Sequence, residues 1–289
     1  MRRKNAMGLP FDASDYSYSG NDLKKHWAAL HKGDCEPYPS EQAIARLTKA
    51  HPGLARGATR QGGAAAVAAQ LQEAWGAFHR GDFVRAIETA NEQGPLGAAA
   101  ANKAAAIHTL YLEKDERQRL DLLKAAIERG DSAVEQLPDY ANAHYTLALV
   151  LGRYSQRISI LEALASGFAG RVHTQLERTL ELEPRHAEAH IALGLYHAEI
   201  VSKLGGLAAR LTYGASQDAA IEHFRQAIKL VPKSAIAHVE YARGLLLLDA
   251  DRHRREVDQL CAHAAACKPL DVMEHLDVER AKHHCTQLD

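Results

Sequence analysis

The chain has 289 residues, of which 46% are apolar and 25% charged, and its net charge is −1 with histidine counted as neutral. That length is enough for one large domain or two ordinary ones, each with a sizeable core. A chain so evenly balanced in charge has no long-range field to attract DNA or RNA, so we expect no nucleic-acid partner. The low aromatic share of 6%, together with abundant alanine, favours helix over sheet.

The cellular location predicted from the sequence is the cytoplasm. The basic residues within 1–4 are not followed by the apolar run of a secretory signal. No stretch approaches the length of uninterrupted apolar residues that a bilayer requires, so no membrane span is expected. The four cysteines are then expected to be reduced thiols in a reducing compartment.

Residues 1–39 predict an irregular N-terminal extension, because Gly, Ser, Asp, Tyr and Pro dominate them. One short helical pattern interrupts this extension at about 21–32. Within it Leu23, Trp27 and Leu30 fall on one face, which is the spacing of an amphipathic helix.

Helical periodicity is almost continuous from Ser40 to the end of the chain. Ser40 follows two nearby prolines and precedes Glu41, so we expect it to cap the first helix of this region. No segment alternates apolar and polar residues with the period that a half-buried strand requires. The sequence therefore predicts an all-α helical domain over 40–289, with a C-terminal capping hairpin at 252–286.

Three segments of this domain repeat one pattern, a helix that ends near a proline and is followed by Ala-x-Ala-His at the start of the next helix. They begin at Val134 (VEQLPDYANAHYTLALVLG), Leu180 (LELEPRHAEAHIALGLYHA) and Ile228 (IKLVPKSAIAHVEYARGLL), and their prolines are 46 and then 48 residues apart. Proline ends a helix, and small alanines let neighbouring helices approach closely. The pattern therefore predicts helical hairpins that bury their apolar faces by stacking on one another.

This repeat resembles the tetratricopeptide repeat. The residues that carry the resemblance most clearly are Ala220, Phe224, Ala227, Pro232, Tyr241, Ala242 and Leu245. A less complete match to the repeat begins at Ala74 (AWGAFHRGDFVRAIETA), and there we expect Gly81-Asp82-Phe83 to form the turn between two helices. The period is longer than the usual 34 residues, and histidine replaces the usual aromatic residue at three aligned positions, which are His144, His190 and His238. The resemblance implies a right-handed α-solenoid of stacked helical hairpins.

The long first helix of each pair narrows the resemblance further. It ends at Tyr213-Gly214 and is followed by QDAAIEHFRQAIKLVP, and this arrangement is similar to the T component of TRAP transporters and to the regulator-of-microtubule-dynamics proteins. The similarity covers roughly residues 70–250. It implies a non-catalytic scaffold or adaptor that binds a protein or peptide segment. The alternative is a carrier of an apolar small molecule, because bacterial relatives of this type have an apolar ligand cavity.

The resemblance also implies where a partner binds, because the first helix of each pair lines the concave face of such arrays. The predicted concave-face residues are Asn142, Tyr145 and Leu149 in the first repeat, Glu188, Ile191, Leu195 and Glu199 in the second, and Ile236, Val239, Glu240 and Arg243 in the third. This mostly apolar lining suits a protein segment, a lipid-like ligand, or the chain's own residues 1–39. The same spacing is also typical of core packing, so both interpretations stay open.

Catalytic and metal signatures are scarce. The sequence has no phosphate-binding glycine loop, no Gly-x-Ser-x-Gly elbow and no His-Glu-x-x-His, so we predict neither an enzyme nor a cofactor. We also predict no metal site, although His263 and Cys267 lie one helical turn apart in a Cys- and His-rich segment and leave zinc as an alternative. The three aligned histidines are expected to pack beside alanines, with a pH-dependent groove as the alternative.

Overall fold

The computed structural model describes residues 8–158, 162 and 166–285, and none of these lies in a β-strand. A short 3₁₀ helix, Gly94–Gly97, comes before the sixth α-helix. In chain order the α-helices are α1 (Gly20–Leu30), α2 (Glu41–Ala50), α3 (Pro52–Arg60), α4 (Ala64–His79), α5 (Phe83–Asn91), α6 (Ala98–Tyr111), α7 (Glu116–Gln136), α8 (Ala141–Ser155), α9 (Phe168–Leu182), α10 (Ala187–Leu204), α11 (Gly206–Tyr213), α12 (Gln217–Leu230), α13 (Ala235–Ala266) and α14 (Val272–Cys285). The all-α prediction is confirmed.

The starts of α2 and α5 follow capping residues in the sequence. The hydroxyl of Ser40 accepts a hydrogen bond from the backbone N–H of Ala43 at 3.2 Å, which confirms Ser40 as the cap of α2. The carboxylate of Asp82 accepts from the N–H of Arg85 at 3.3 Å at the start of α5. Such caps satisfy backbone donors that the first helical turn leaves without acceptors. The turn predicted at Gly81-Asp82-Phe83 therefore lies where the sequence placed it, between α4 and α5.

Three helices end in the way that the repeated prolines predict. Pro138, Pro184 and Pro232 each follow the last residue of a helix, α7, α9 and α12 respectively, by two positions. The residue before a proline is pushed out of the helical region by the proline ring. Leu137 (φ −132°, ψ 58°) and Val231 (φ −132°, ψ 66°) accordingly have non-helical backbone angles.

The described residues form two compact units. The first consists of those within 1–30, 36–178 and 271–273, and the second of those within 31–35, 179–270 and 274–289. In the first unit α6 packs against α5, α7 and α8, and in the second α10 packs against α12 and α13. Within each unit, these packed neighbouring helices form the stacked hairpins. The predicted division into 1–39 and 40–289, with a capping hairpin at 252–286, stays a prediction.

The core of the first unit is aromatic and includes α1. Trp75, Phe78 and Phe83 are fully buried, and the ring of Trp27 meets that of Trp75 edge to face with centroids 6.0 Å apart. The indole N–H of Trp27 donates to the carbonyl oxygen of Glu36 at 2.7 Å, so its polar edge is satisfied inside the core. Leu23, Trp27 and Leu30 are the buried residues of α1, which confirms its predicted apolar face.

The core of the second unit is built around Phe224 of α12. This ring is fully buried and stacks on Tyr241 with centroids 5.1 Å apart. Two glycines face it, because a methyl group added at Gly194 of α10 or at Gly244 of α13 would overlap the ring. Glycine therefore allows α10 and α13 to lie against both sides of one aromatic side chain. This arrangement matches the repeated sequence pattern, in which small residues on one helix face large apolar residues on the next.

Helix α13 is two helical segments joined at Asp249. This residue has extended backbone angles (φ −166°, ψ 94°) inside the 32-residue span. Its carboxylate accepts from the N–H of Arg252 at 3.1 Å, so Asp249 caps the second segment. Within the described parts of the chain, no helix is both long and apolar enough to cross a membrane. The cytoplasmic location stays a prediction.

Candidate functional site

The three aligned histidines bind the turns that precede their own helices. In each case Nε2 lies close to the carbonyl oxygen of the proline six residues earlier, and because a carbonyl only accepts, Nε2 carries the donated proton. The distances are 2.9 Å for His144 and Pro138, 3.4 Å for His190 and Pro184, and 2.9 Å for His238 and Pro232. The sequence predicted that these rings pack beside alanines, and the structure adds a hydrogen bond from each ring to the preceding turn. A phenyl ring has no N–H, so it could not make this bond.

The second ring nitrogen of two of these histidines meets the following helix. Nδ1 of His144 is 2.6 Å from the side-chain amide of Gln175 in α9, and Nδ1 of His190 is 2.9 Å from Nδ1 of His223 in α12. With Nε2 protonated, Nδ1 of His190 accepts, so His223 donates. Each of these histidines therefore links a proline turn to the helix that packs beside it.

Burial gives His190 and His238 a defined effect on stability. It lowers the pKa of His190 and His238, an effect that the hydrogen bonds to Pro184 and Pro232 oppose and that nearby His263 reinforces for His238. The folded chain therefore disfavours the charged ring, whereas the unfolded chain takes up a proton near pH 6.5. The stability that these neutral rings allow is present above about pH 6.5 and decreases as the pH falls below that value.

We expect the unfolding midpoint in urea to be nearly constant from about pH 7 to 8 and to fall as the pH is lowered from about 6.5 to 5. The variant His238→Phe should show a weaker dependence over that interval, because one neutral buried ring is removed. At pH 8 it should lose about 1 kcal/mol, since the bond to Pro232 is gone. Urea titrations followed by circular dichroism measure both effects. An unchanged pH dependence in the variant would contradict this assignment.

The residues predicted for the concave face are not strongly exposed. All eleven lie in the described part of the chain, and they fall into two groups. The buried group is Asn142, Tyr145, Ile191, Val239 and Glu240, and the half-buried group is Leu149, Glu188, Leu195, Glu199, Ile236 and Arg243. Only the second group offers surface to a partner in this conformation. The binding role of these residues stays a prediction.

Three charged residues of this face in the second unit, Glu199, Glu240 and Arg243, pair with one another. Nη2 of Arg243 is 2.9 Å from Oε1 of Glu199, and its Nη1 is 3.3 Å from Oε2 of Glu240. Glu240, only 2% exposed, also receives Arg280 of α14 at 3.1 Å. Because a buried carboxylate requires such partners, these charges join α10, α13 and α14. Their presence in an otherwise apolar stripe is therefore explained by pairing between helices.

Helix α14 covers part of the same face. Val239 and Ala235, on the first segment of α13, share an apolar cluster with Val278 and Ala281 of α14 and with Ala264. The periodicity of α13 indicated an apolar face, but it could not indicate whether this chain or a partner occupies it. At Val239 the occupant is α14.

The N-terminal extension also contacts this face, at the start of α10. The backbone N–H of Glu188 donates to the carbonyl oxygen of Gly33 at 3.0 Å, and the thiol of Cys35 donates to the carbonyl oxygen of Arg185 at 3.5 Å. Burial raises the pKa of Cys35 to about 11, so its sulfur keeps the proton that it donates. Within the second unit, the segment 31–35 therefore lies on one end of the predicted binding surface.

The C-terminal cysteines and histidines make local hydrogen bonds. Nδ1 of His263 lies 2.7 Å from the carbonyl oxygen of Gln259, and the thiol of Cys267 donates to the carbonyl oxygen of His263 at 3.3 Å. Among the residues that the structure describes, no three His, Cys, Asp or Glu side chains group as a metal site requires. The side chains of His284 and Cys285 lie outside the described residues, so the zinc alternative is not tested there.

Comparison with known proteins supports the fold. A family model described as regulator of microtubule dynamics protein 1-3 matches residues 89–245, more than half of the chain. The crystal structure of TTC0263, a thermophilic TPR protein of Thermus thermophilus, has a TM-score of 0.53 and 17% identity, covering 74% of this chain and 97% of that one. This likeness shows a tetratricopeptide-like fold, consistent with an α-solenoid.

The match to a second solved structure covers a smaller share of that structure's chain. The human IFIT1 dimer with PPP-AAAA has a TM-score of 0.41 and 17% identity, and the match covers 77% of this chain and 59% of that one. A similarity at this level carries no functional argument. No curated protein matches the chain in sequence.

Proposed function

We propose that this chain, which belongs to the family described as regulator of microtubule dynamics protein 1-3, is a non-catalytic scaffold that holds a protein segment. The tetratricopeptide-like fold supports an interaction role, because stacked hairpins present a row of neighbouring helices to an extended or helical segment. The proposed binding surface is the part of the half-buried group that lies in the second unit. It comprises Glu188, Leu195, Glu199, Ile236 and Arg243.

The observation that carries the proposal is the way in which Arg243 is held and exposed. Its guanidinium has five N–H donors, and Glu199 and Glu240 hold it through one terminal nitrogen each. The side chain is 34% exposed, so it is fixed in place by α10 and α13 and still reaches solvent. A fixed arginine at the edge of an apolar surface can bind a backbone carbonyl or a carboxylate of a partner. Leu195 and Ile236 would supply apolar contacts beside it.

Photocrosslinking in the cells that make the protein tests this surface. A benzophenone side chain is placed at Leu195 or Ile236, and at Lys229 and Glu222 of α12 as controls, because both of these are exposed on a second helix. We expect the same protein partner to crosslink at 195 and 236, and not at 222 or 229. Crosslinking with equal yield at the controls would refute the surface. Bound lipid at 195 and 236, with no protein, would select the carrier alternative.

A variant then tests the role of Arg243. With the identified segment as a synthetic peptide, Arg243→Ala should weaken binding about tenfold, which is typical of a lost charge-assisted contact. Arg243→Lys keeps the charge but loses the planar geometry and should weaken binding less. Calorimetry measures the affinities, and circular dichroism establishes that the variants remain folded. Equal affinity of all three proteins would show that Arg243 does not bind the partner.

A further inference from the structure

Helix α11 exposes two leucines that lie outside the proposed binding surface. Leu207 is 77% exposed and Leu211 is 78% exposed, and Leu204, at the end of α10, is 36% exposed. Single exposed leucines are ordinary on protein surfaces, but a pair of this exposure on one short helix forms a contiguous apolar patch. The patch lies in the part of the repeat that lengthens it beyond the usual tetratricopeptide period.

The backbone holds α11 so that these leucines project outward. Glycines with positive φ stand at both ends, Gly205 at 77° and Gly214 at 64°. Ala209 is the only buried residue of the helix. At 100° per residue, Leu207 and Leu211 lie within about 40° of each other and Ala209 lies roughly opposite. The helix thus rests on the second unit through Ala209 and presents the leucines to solvent.

The charged residues in the segment that carries the patch are both basic, although Glu199 and Asp218 lie just outside it. Between residues 200 and 217 the chain contains Lys203 and Arg210 and no acidic residue. Arg210 is exposed beside the leucines. Nζ of Lys203 lies 3.5 Å from Oε2 of Glu199, which precedes the segment. The side chain of Lys203 is 46% exposed. An apolar stripe flanked by cations, with a tyrosine at the end of the helix, is the composition of helices that lie in a membrane interface.

We propose that α11 docks this protein onto an anionic lipid surface. Leu207 and Leu211 would enter the boundary of the acyl chains, while Arg210 and Lys203 would meet lipid phosphates. The helix would lie on the membrane and not cross it. Because the helix offers few apolar residues, its binding to the membrane is reversible. Because two cations contribute, the binding depends on the content of anionic lipid and on ionic strength.

A lipid surface fits the patch better than a second copy of the chain does. A stable interface buries about 800 Å² on each partner, and one eight-residue helix with two projecting leucines provides only part of that area. The leucines also protrude, and a protruding side chain requires a matching pocket on a protein partner. A fluid acyl layer accommodates it without one. The cations add the preference for a negative surface.

Vesicle flotation with the 289-residue chain tests the proposal. Vesicles of phosphatidylcholine alone are compared with vesicles containing about 30% phosphatidylglycerol. We expect the protein to float with the anionic vesicles and to be released by high salt. The double variant Leu207→Gln, Leu211→Gln should reduce the bound fraction about tenfold, and Arg210→Gln should reduce it about threefold. Glutamine is chosen because its helix propensity is close to that of leucine.

Val84→Gln is the matched control, because Val84 is 50% exposed on α5 and lies in the first unit. It should float as the unaltered protein does. The proposal is overturned if the protein does not float, if neutral vesicles bind it equally well, or if the leucine variants bind normally. Analytical ultracentrifugation adds one more outcome. A dimer that the leucine variants abolish, without vesicle binding, would assign the patch to a second copy instead.

Discussion

Phe224→Ala should lower the free energy of unfolding by about 3–5 kcal/mol. The ring is fully buried in the second unit, where α10 and α13 approach it from both sides. Removal of the ring loses its transfer free energy and leaves a cavity that three helices cannot all collapse to fill. Urea denaturation followed by circular dichroism measures the loss. A change below about 1 kcal/mol would show that the ring does not organise this core.

Gly194 provides a sharper form of the same test. Gly194→Ala alone should destabilise, because the new methyl group would lie 2.8 Å from two ring atoms of Phe224. In the Phe224→Ala background the same change should stabilise, because alanine fills vacated space and favours helix over glycine by about 1 kcal/mol. The sign of the effect thus reverses. Gly152→Ala in α8, which meets no atom within 4 Å, should stabilise in both backgrounds. Additive effects of Gly194 and Phe224 would contradict the contact.

Asp271→Ala should destabilise the first unit by about 3 kcal/mol. Oδ2 of Asp271 lies 2.7 Å from Nδ1 of His79, and both side chains are at most 2% exposed. Loss of one member of a buried polar pair removes a bond and leaves the other member desolvated. The pair also fixes the segment 271–273, in which Val272 packs at Gly81. Urea denaturation measures the effect.

An exposed ion pair in the same unit provides the control for that experiment. Arg178 lies 3.1 Å from Asp139, whose side chain is 71% exposed. Water and salt screen such a pair, so Asp139→Ala should cost less than about 1 kcal/mol. If the two variants were equally destabilised, burial would not be the reason for the importance of Asp271.

Much of the fold could be predicted from the sequence because its signals are local. A proline acts on the residue before it, so the ends of α7, α9 and α12 follow from Pro138, Pro184 and Pro232 alone. The apolar face of α1 follows from periodicity. The break in α13 had a local signal as well, since Asp249 is a favourable cap within a helical pattern.

The candidate site could be predicted only in part. Whether its residues are exposed, covered or paired depends on residues far away in the sequence. Periodicity gives the face of α13 to which Val239 belongs, but the cover over that face comes from α14. The pairing of Arg243 with Glu199 joins residues 44 apart in sequence. The histidine bonds had one visible signal, the constant spacing of six between each proline and histidine. That spacing has meaning only once the geometry of the turn is known.

The position of Asp271 in the chain has a consequence for synthesis. Its partner His79 precedes it by 192 residues, so the ribosome must add that many residues after His79 before the pair can form. Domains generally fold as units during translation, starting from the N-terminus. The first unit must wait for 271–273 to emerge, so we expect it to gain its full resistance to proteases only after these residues have left the ribosome.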